Sequence, residues 1–243
     1  MAATPLTARE TLDLWEQAAR LPSLRRVVAL AERGGTGGEE LLTQPVGQAY
    51  AAALRLRVTL TSAPLEATAP CPQCGAVAEF AMDPAALLAE HDATRPRGVT
   101  LPAIRAWRVP TPDDLVAVAD LPPAAARDAL LRRCVSLADP PGDHDDPARL
   151  PETSVADLEA AMMAADPLAE VRVDLVCPSC SAAFTCVADL GEFVWTEIET
   201  RARRLLHEVD VLARAYGWTE PDVLALSDPR RAAYLGLALD GAP

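Results

Sequence analysis

Aromatic residues are scarce in this chain, and lysine is absent. Only 4% of the 243 residues are aromatic although 50% are hydrophobic, so a core must be built mainly from alanine, leucine and valine. Alanine and leucine favour helices, whereas strands favour β-branched and aromatic residues. The composition therefore predicts a mainly helical protein.

Basic residues and long apolar runs are also few. All 22 basic residues are arginine, against 35 acidic ones, and the formal charge is -13, which argues against nucleic acid as a partner. No run approaches the roughly 18 apolar residues of a membrane span, and the first residues do not form a signal peptide. We therefore expect a cytoplasmic protein without membrane insertion. In that reducing compartment, six cysteines indicate metal ligands or free thiols rather than disulfides.

Helix signals begin before the first cysteine. Thr7 and Glu10 form a capping-box pattern ahead of a first predicted helix over residues 8–20. Gly34 ends a second predicted helix, and a third is expected over residues 46–56.

Further helix signals follow the last cysteine. Apolar residues recur at steps of three or four from Val194 to Tyr216, and Gly217 then terminates the strongest helix of the chain. Thr219 and Ser227 are expected to cap two short helices after it.

The middle of the chain is less regular. Residues 95–110 are predicted to be an irregular linker, and the stretch 139–151, rich in aspartate, proline and glycine, is predicted to be a mobile acidic loop. Thr153 or Ser154 is expected to cap the helix that follows this loop.

Two Cys-x-x-Cys motifs carry the chemistry of the sequence. They are CPQCG at residues 71–75 and CPSCS at residues 177–181. Two residues between the thiolates let both sulfurs bind one metal, and glycine after the second cysteine suits the tight turn. We predict one structural zinc ion with four thiolate ligands: Cys71, Cys74, Cys177 and Cys180.

The two motifs belong to a repeat with an offset of 106 residues. Asp83 follows the first motif as Asp189 follows the second, so each unit is strand, knuckle, strand, aspartate and helix. Two such hairpins that share a metal form a zinc ribbon, here with 102 residues between Cys74 and Cys177. The predicted fold is mainly α with a small β zinc ribbon (α+β), in which two zinc-knuckle hairpins are separated by a helical insertion.

These patterns divide the chain into five expected segments. They are an N-terminal helical module (1–57), the first half of the zinc ribbon (58–94), the helical insertion with its acidic loop (95–169), the second half of the ribbon (170–190), and the long C-terminal helix with two short helices (191–243). The zinc ion would join the two ends of the insertion.

The other cysteines and the histidines are not expected to bind metal. Cys134 and Cys186 lack partners at ligand spacing, so we expect them to be small buried residues. His91, His144 and His207 are expected at the surface. Cysteine pairs that are redox-active or simply buried are the alternative to a shared metal.

A catalytic role is not expected. Four thiolates fill a tetrahedral shell, whereas a catalytic zinc ion keeps an open position. The sequence also has no phosphate-binding loop and no nucleophile elbow. Two alternatives to a docking protein are an enzyme with a structural zinc and a zinc-ribbon adaptor of transcription or nucleic-acid machinery. The adaptor is disfavoured by the negative charge.

Several segments resemble the baseplate hub assembly chaperones of contractile-tailed phages and related extracellular contractile injection systems. The resembling segments are residues 12–16 (LDLWE), both knuckles, 110–115 (PTPDDL), 130–135 (LLRRCV), 165–167 (ADP), 208–226 (EVDVLARAYGWTEPDVLAL) and 230–231 (RR). The resemblance implies a non-enzymatic assembly role, with baseplate or hub proteins as partners.

Trp218 and Tyr216 flank the glycine that ends the long helix. Tryptophan and tyrosine are enriched among the anchors of protein interfaces, so this corner is a candidate partner-binding surface. The alternative is that both rings only pack the corner between helices.

Overall fold

A computed structural model of the chain describes residues 5–34, 37–94, 101, 104–137 and 146–240. These residues form eleven α-helices, one 3-10 turn and six short strands. All six strands lie in two-stranded antiparallel sheets. The predicted mainly helical character with small β elements is therefore confirmed.

The order of the elements places one cysteine hairpin before a helical insertion and one after it. The elements are α1 (Ala8–Ala18), α2 (Ser23–Arg33), α3 (Gly38–Leu42), α4 (Val46–Leu60), β1 (Leu65–Pro70), β2 (Val77–Met82), α5 (Pro84–Ala93), β3 (Ile104–Trp107), α6 (Pro112–Val118), α7 (Pro123–Cys134), β4 (Val135–Leu137), the 3-10 turn (Pro147–Arg149), α8 (Glu152–Ala165), β5 (Val171–Val176), β6 (Ala183–Ala188), α9 (Leu190–Tyr216), α10 (Glu220–Leu224) and α11 (Asp228–Asp240).

The main hydrophobic core lies between the N-terminal helices and the first half of α9. Leu14, Leu30 and Leu54 are fully buried there, together with Ile198 of α9. α4 is buried over most of its length, so it lacks the one-sided apolar periodicity that marks a surface helix. For this reason the sequence pattern placed its end too early, and the helix continues to Leu60.

The predicted repeat is present in the two cysteine hairpins. The strand pairing runs from Leu65–Met82 to Pro70–Val77 in the first hairpin, and from Val171–Ala188 to Val176–Ala183 in the second. These registers are identical at the offset of 106 residues. Each hairpin leads into a helix whose N-cap is the repeated aspartate, Asp83 for α5 and Asp189 for α9.

Each hairpin is anchored in the main core at the end remote from its cysteines. Leu65 and Met82 of the first hairpin are buried in that core, as are Val171 and Ala188 of the second. Burial of these apolar side chains stabilises one end of each hairpin. The cysteine-bearing ends lie at the opposite side, where Val77 and Val176 are exposed.

The helical insertion has a second, smaller core. Leu131 of α7 and Val155 and Leu158 of α8 are buried there, together with Ile104 of β3. The interpretation of residues 95–110 as an irregular linker was wrong at its described end, because β3 pairs with β4. These strands are only three or four residues long, too short to show a periodic pattern.

The segment before α8 also differs from the sequence prediction. α8 begins at Glu152, so Thr153 and Ser154 lie in its first turn and neither is its N-cap. Of the predicted mobile loop, residues 139–145 lie outside the described residues. The part that is described contains the 3-10 turn Pro147–Arg149.

A buried carboxylate holds α6 against α7. Asp114 is 1% exposed, and its oxygens accept hydrogen bonds from Arg108, from Arg133 at 2.7 Å and from the Thr111 N–H at 2.9 Å. Burial alone would raise the pKa of Asp114, but these donors hold it well below its ordinary value. The carboxylate therefore remains ionised and joins the two helices.

The long C-terminal helix is confirmed. α9 has 27 residues and ends at Gly217, whose φ is +71°. α11 packs on α9, and its buried residue is Arg231, which donates to Glu208 at 2.6 Å and to Asp228 at 2.7 Å. A paired arginine rather than an apolar stripe therefore positions the last helix.

Candidate metal centre

The two knuckles have the same backbone geometry. In the first, the Cys71 N–H donates to the Ala76 carbonyl at 2.8 Å, and the Gly75 N–H donates back to the Cys71 carbonyl at 2.9 Å. In the second knuckle, the Cys177 N–H likewise donates to the Ala182 carbonyl, at 2.9 Å. Each turn therefore directs both of its cysteines towards the same side.

The residue after the second cysteine of each knuckle has a left-handed backbone. The φ angles are 75° at Gly75 and 60° at Ser181, and Ser181 is the non-glycine residue with positive φ among the described residues. Left-handed backbone costs a residue with a Cβ about 1–2 kcal/mol, whereas glycine adopts it readily. The second knuckle therefore contains strain that the first avoids.

Single substitutions at these two positions should change the stability of the protein in opposite directions. Ser181→Gly should stabilise the protein by about 1 kcal/mol, and Gly75→Ala should destabilise it by a similar amount. A Cβ at Gly75 would have no atom within 4 Å, so the backbone effect is not mixed with a clash. Urea unfolding of the metal-loaded variants measures both free energies. Shifts of the same sign would contradict the explanation from backbone strain.

The four predicted ligand sulfurs come together. The Sγ atoms of Cys71, Cys74, Cys177 and Cys180 all lie within 4.8 Å of one another. The distance between Cys71 Sγ and Cys180 Sγ is 3.8 Å, and that between Cys74 Sγ and Cys177 Sγ is 3.5 Å. A tetrahedral ion bound at about 2.3 Å would hold its sulfurs about 3.8 Å apart. The group can therefore hold a metal ion, and all four donors come from the chain.

The centre lies at the surface but is covered on one side. Cys71 and Cys177, the first cysteine of each knuckle, are 2% and 1% exposed, whereas Cys74 and Cys180 are exposed. The repeat thus places one buried and one exposed sulfur in each hairpin. This position lets an ion enter from solvent while the chain shields half of the site.

The backbone and the neighbouring sulfurs shift the pKa values of the thiols unequally. N–H groups of Cys180 and Ser179 donate to the Cys177 sulfur and lower its pKa to about 6. At Cys74 the Ala76 N–H also lowers the pKa, but hydrogen bonds with the Cys180 and Cys177 thiols raise it to about 12. The group favours a first negative charge and resists further ones, and a bound cation would relieve this repulsion.

The two remaining cysteines lie apart from the centre. Cys134 is buried as expected, with its sulfur 3.9 Å from the Asp114 carboxylate. Burial, followed by the charge of Asp114, raises the pKa of Cys134 to about 11. Cys186 is only partly buried, so the expectation of a buried residue was wrong for it. It lies on the inward side of β6 with Phe184 and Ala188, and of these three residues only Ala188, at the end anchored in the core, is buried.

The histidines are placed differently from one another. His207 is exposed on α9 as expected. His91 is 8% exposed, so its predicted surface position was wrong, and burial lowers its pKa. The helix that carries it, α5, packs against α4, a contact that sequence periodicity did not indicate. His144 lies outside the described residues.

The candidate partner-binding residues form part of a three-ring cluster. Tyr216 and Trp218 are stacked with ring centroids 4.7 Å apart, and Tyr234 of α11 meets the Trp218 ring edge-on at 4.9 Å. Tyr216 is 38% exposed and Trp218 is partly buried. The sequence did not indicate Tyr234, because its proximity depends on how α11 packs against α9.

The fold and the site define a mainly helical protein with a four-cysteine centre that can hold a metal ion. No described helix combines the length and the apolar character that a bilayer crossing requires. No family model, curated protein or solved structure matches the chain. Functional inference therefore depends on the residues themselves.

Proposed function

We propose that the chain is a non-enzymatic assembly factor in which one structural zinc ion joins the two hairpins as a zinc ribbon. The observation that carries the proposal is the closed set of four sulfurs within 4.8 Å of one another. Zinc prefers such a tetrahedral thiolate shell, which leaves no position for substrate or activated water. The ion would therefore supply stability to the hairpins rather than reactivity.

The proposed partners are baseplate or hub proteins of a contractile tail-like injection system, in the cytoplasm where such a particle is assembled. The resemblance of the knuckles and of residues 208–226 to hub assembly chaperones supports this choice. The charge of -13 supports a protein partner over nucleic acid, because phosphate groups would be repelled.

The aromatic cluster is the proposed docking surface for this role. Tyr216 and Trp218 offer large apolar areas at a corner between helices, as expected of interface anchors. Leu237 and Leu239, on the same helix as Tyr234, are 64% and 63% exposed, so α11 presents further apolar side chains to solvent. A partner that covers this region would bury apolar area that the chain alone leaves in water.

Co-purification tests the function directly. The tagged protein, expressed with the neighbouring genes of a contractile particle, should capture a baseplate or hub protein. Trp218→Ala should weaken this capture at least about tenfold, because buried tryptophans are frequent hot spots. Tyr234→Phe is the matched control, since it retains the ring and removes only a hydroxyl group.

Thermal melting of the same variants separates docking from packing. Docking requires that Trp218→Ala lose capture while its melting temperature stays within a few degrees of the parent protein. A large fall in melting temperature with capture intact would assign the ring to packing. Shifted mobility of duplex DNA at physiological salt would instead support the adaptor of nucleic-acid machinery.

A further inference from the structure

A groove lies between the two cysteine hairpins. Its volume is about 530 Å³, and it is lined by residues 66–70 of β1 and 186–188 of β6. Phe80 and Phe193 line it as well, and both are partly buried. Successive side chains of a strand point to opposite faces of its sheet. A groove lined by consecutive strand residues is therefore bordered by the edge of the strand and not by one face alone.

The β1 edge has backbone groups available for pairing. Antiparallel pairs alternate, and a residue in a non-hydrogen-bonded pair directs its N–H and C=O away from its partner strand. The bond from Cys71 to Ala76 fixes this alternation, so Glu66 and Thr68 direct their backbone groups outward. Among the described residues, β1 pairs with β2 and with no second strand.

The β6 edge offers the same arrangement. The hydrogen bond between Cys177 and Ala182 fixes the alternation in this hairpin, so Val187 directs its N–H and C=O away from β5. The Val187 side chain is 62% exposed, which is high for an apolar residue in a strand. In the described part of the chain, no further strand pairs with β6. Two open strand edges therefore line one groove.

The charge of the groove is uniformly acidic. Its charged lining residues are all carboxylates, with no arginine among them: Glu66, Asp189, Glu192 and Glu197. Two of these carboxylates have an arginine partner that does not line the groove: Arg57 pairs with Glu197, and Arg26 lies 3.7 Å from Glu192. Glu66 has no ion pair with a described residue. A basic occupant would therefore complement the groove, and an acidic one would be repelled.

We propose that this groove binds an extended, basic segment of a partner protein by strand addition. The backbone of the segment pairs with the open edges of β1 and β6, and its alternate side chains lie over the two phenylalanines and against the carboxylates. The proposal deepens the assembly function and rests on it for the identity of the partner. Binding of a defined peptide, in contrast, tests the groove alone.

The probe is a short fluorescein-labelled peptide of alternating valine and arginine, added to the full-length protein and followed by fluorescence anisotropy. We expect saturable binding that weakens as salt rises. A peptide with glutamate in place of arginine should not bind. A peptide with N-methyl groups on alternate residues should bind at least about tenfold more weakly, because it loses the hydrogen bonds that its N–H groups donate to one of the two strand edges.

Two variants assign the binding to the groove. Thr68→Pro removes one outward N–H and should weaken peptide binding about tenfold. Pro70 already occupies the equivalent outward position two residues away, so the hairpin should accept this proline. Glu66→Gln should weaken binding severalfold without affecting the fold. Glu90→Gln, an exposed carboxylate on α5 outside the groove, is the matched control.

The possible results are distinct. Absence of peptide binding, or equal binding of the glutamate or N-methylated peptide, would overturn strand addition in this groove. Equal weakening by Glu66→Gln and Glu90→Gln would reduce the effect to general charge and would also overturn it. Peptide binding by a protein that captures no baseplate component would uphold the groove and contradict the assembly function.

Discussion

Replacing Cys177 with serine is expected to abolish metal binding and to free the cysteine-bearing ends of both hairpins. Two-stranded hairpins are marginally stable alone, and the buried residues that these two contribute to the main core lie at their far ends. Next to the knuckles, Val77 and Val176 are 56% and 66% exposed, and the buried strand residues there, Ala69 and Ala78, are small, so apolar burial contributes less at this end. Structural zinc supplies about 10–16 kcal/mol in isolated peptides, which makes the metal the dominant contribution at this end.

The measurements are metal content, circular dichroism and limited proteolysis. The parent protein should carry one zinc ion per chain and the variant none. Helical ellipticity should be largely retained, because the helices are capped and packed without the metal. Cleavage should become at least about tenfold faster within residues 65–82 and 171–188, since local opening controls proteolysis. Under the proposed assembly function, complete baseplates should also become fewer in cells that build a contractile particle.

Cys186→Ser is the matched control for this experiment. It removes a thiol from the same hairpin at a position outside the four-sulfur group. It should retain the metal and the resistance to protease. A Cys177→Ser protein that is free of metal but as resistant as the parent would show that the metal has no structural role. Iron in place of zinc would correct the identity of the ion.

Replacing Gly34 with alanine is expected to destabilise the main core by about 1–3 kcal/mol, the usual effect of overpacking. A Cβ at this position would lie 2.5 Å from the Ala52 carbonyl oxygen of α4. The obstructing atom belongs to the backbone of a buried helix, so it cannot move aside as a flexible side chain would. α2 and α4 must separate to relieve the clash, which loosens the packing of the core.

Gly236→Ala is also a glycine-to-alanine substitution, but it is expected to raise the stability of the protein. Gly236 lies within α11, and a Cβ there would have no atom within 4 Å. The change should stabilise the protein by up to about 1 kcal/mol through helix propensity. Unfolding in urea measures both free energies. Equal effects of the two substitutions would contradict the close approach of α2 and α4.

These glycines show what a sequence pattern can and cannot indicate. Gly34 was correctly predicted to follow the end of a helix, because glycine interrupts apolar periodicity. Its contact with Ala52 had no sequence signal, since it depends on the distance between two helices. The predicted end of the long helix at Gly217 depends on local sequence and was confirmed.

The metal centre likewise has features that the sequence indicated and one that it did not. Its four cysteines, the offset of 106 residues and the aspartate before each helix were all evident from the sequence, because local spacing determines knuckles and repeats. The strain at Ser181 was not evident, because serine in a left-handed turn has no distinctive pattern.

The sequence by itself determined the helical composition, the four cysteines and the ends of the long helix, since propensity, spacing and caps act within a few residues. Tertiary structure alone decided the rest. It brought sulfurs separated by 102 residues of chain to within 4.8 Å, buried His91, paired β3 with β4 and placed Tyr234 beside Trp218. These contacts join distant parts of the chain, and their geometry follows from the packing of whole helices and hairpins.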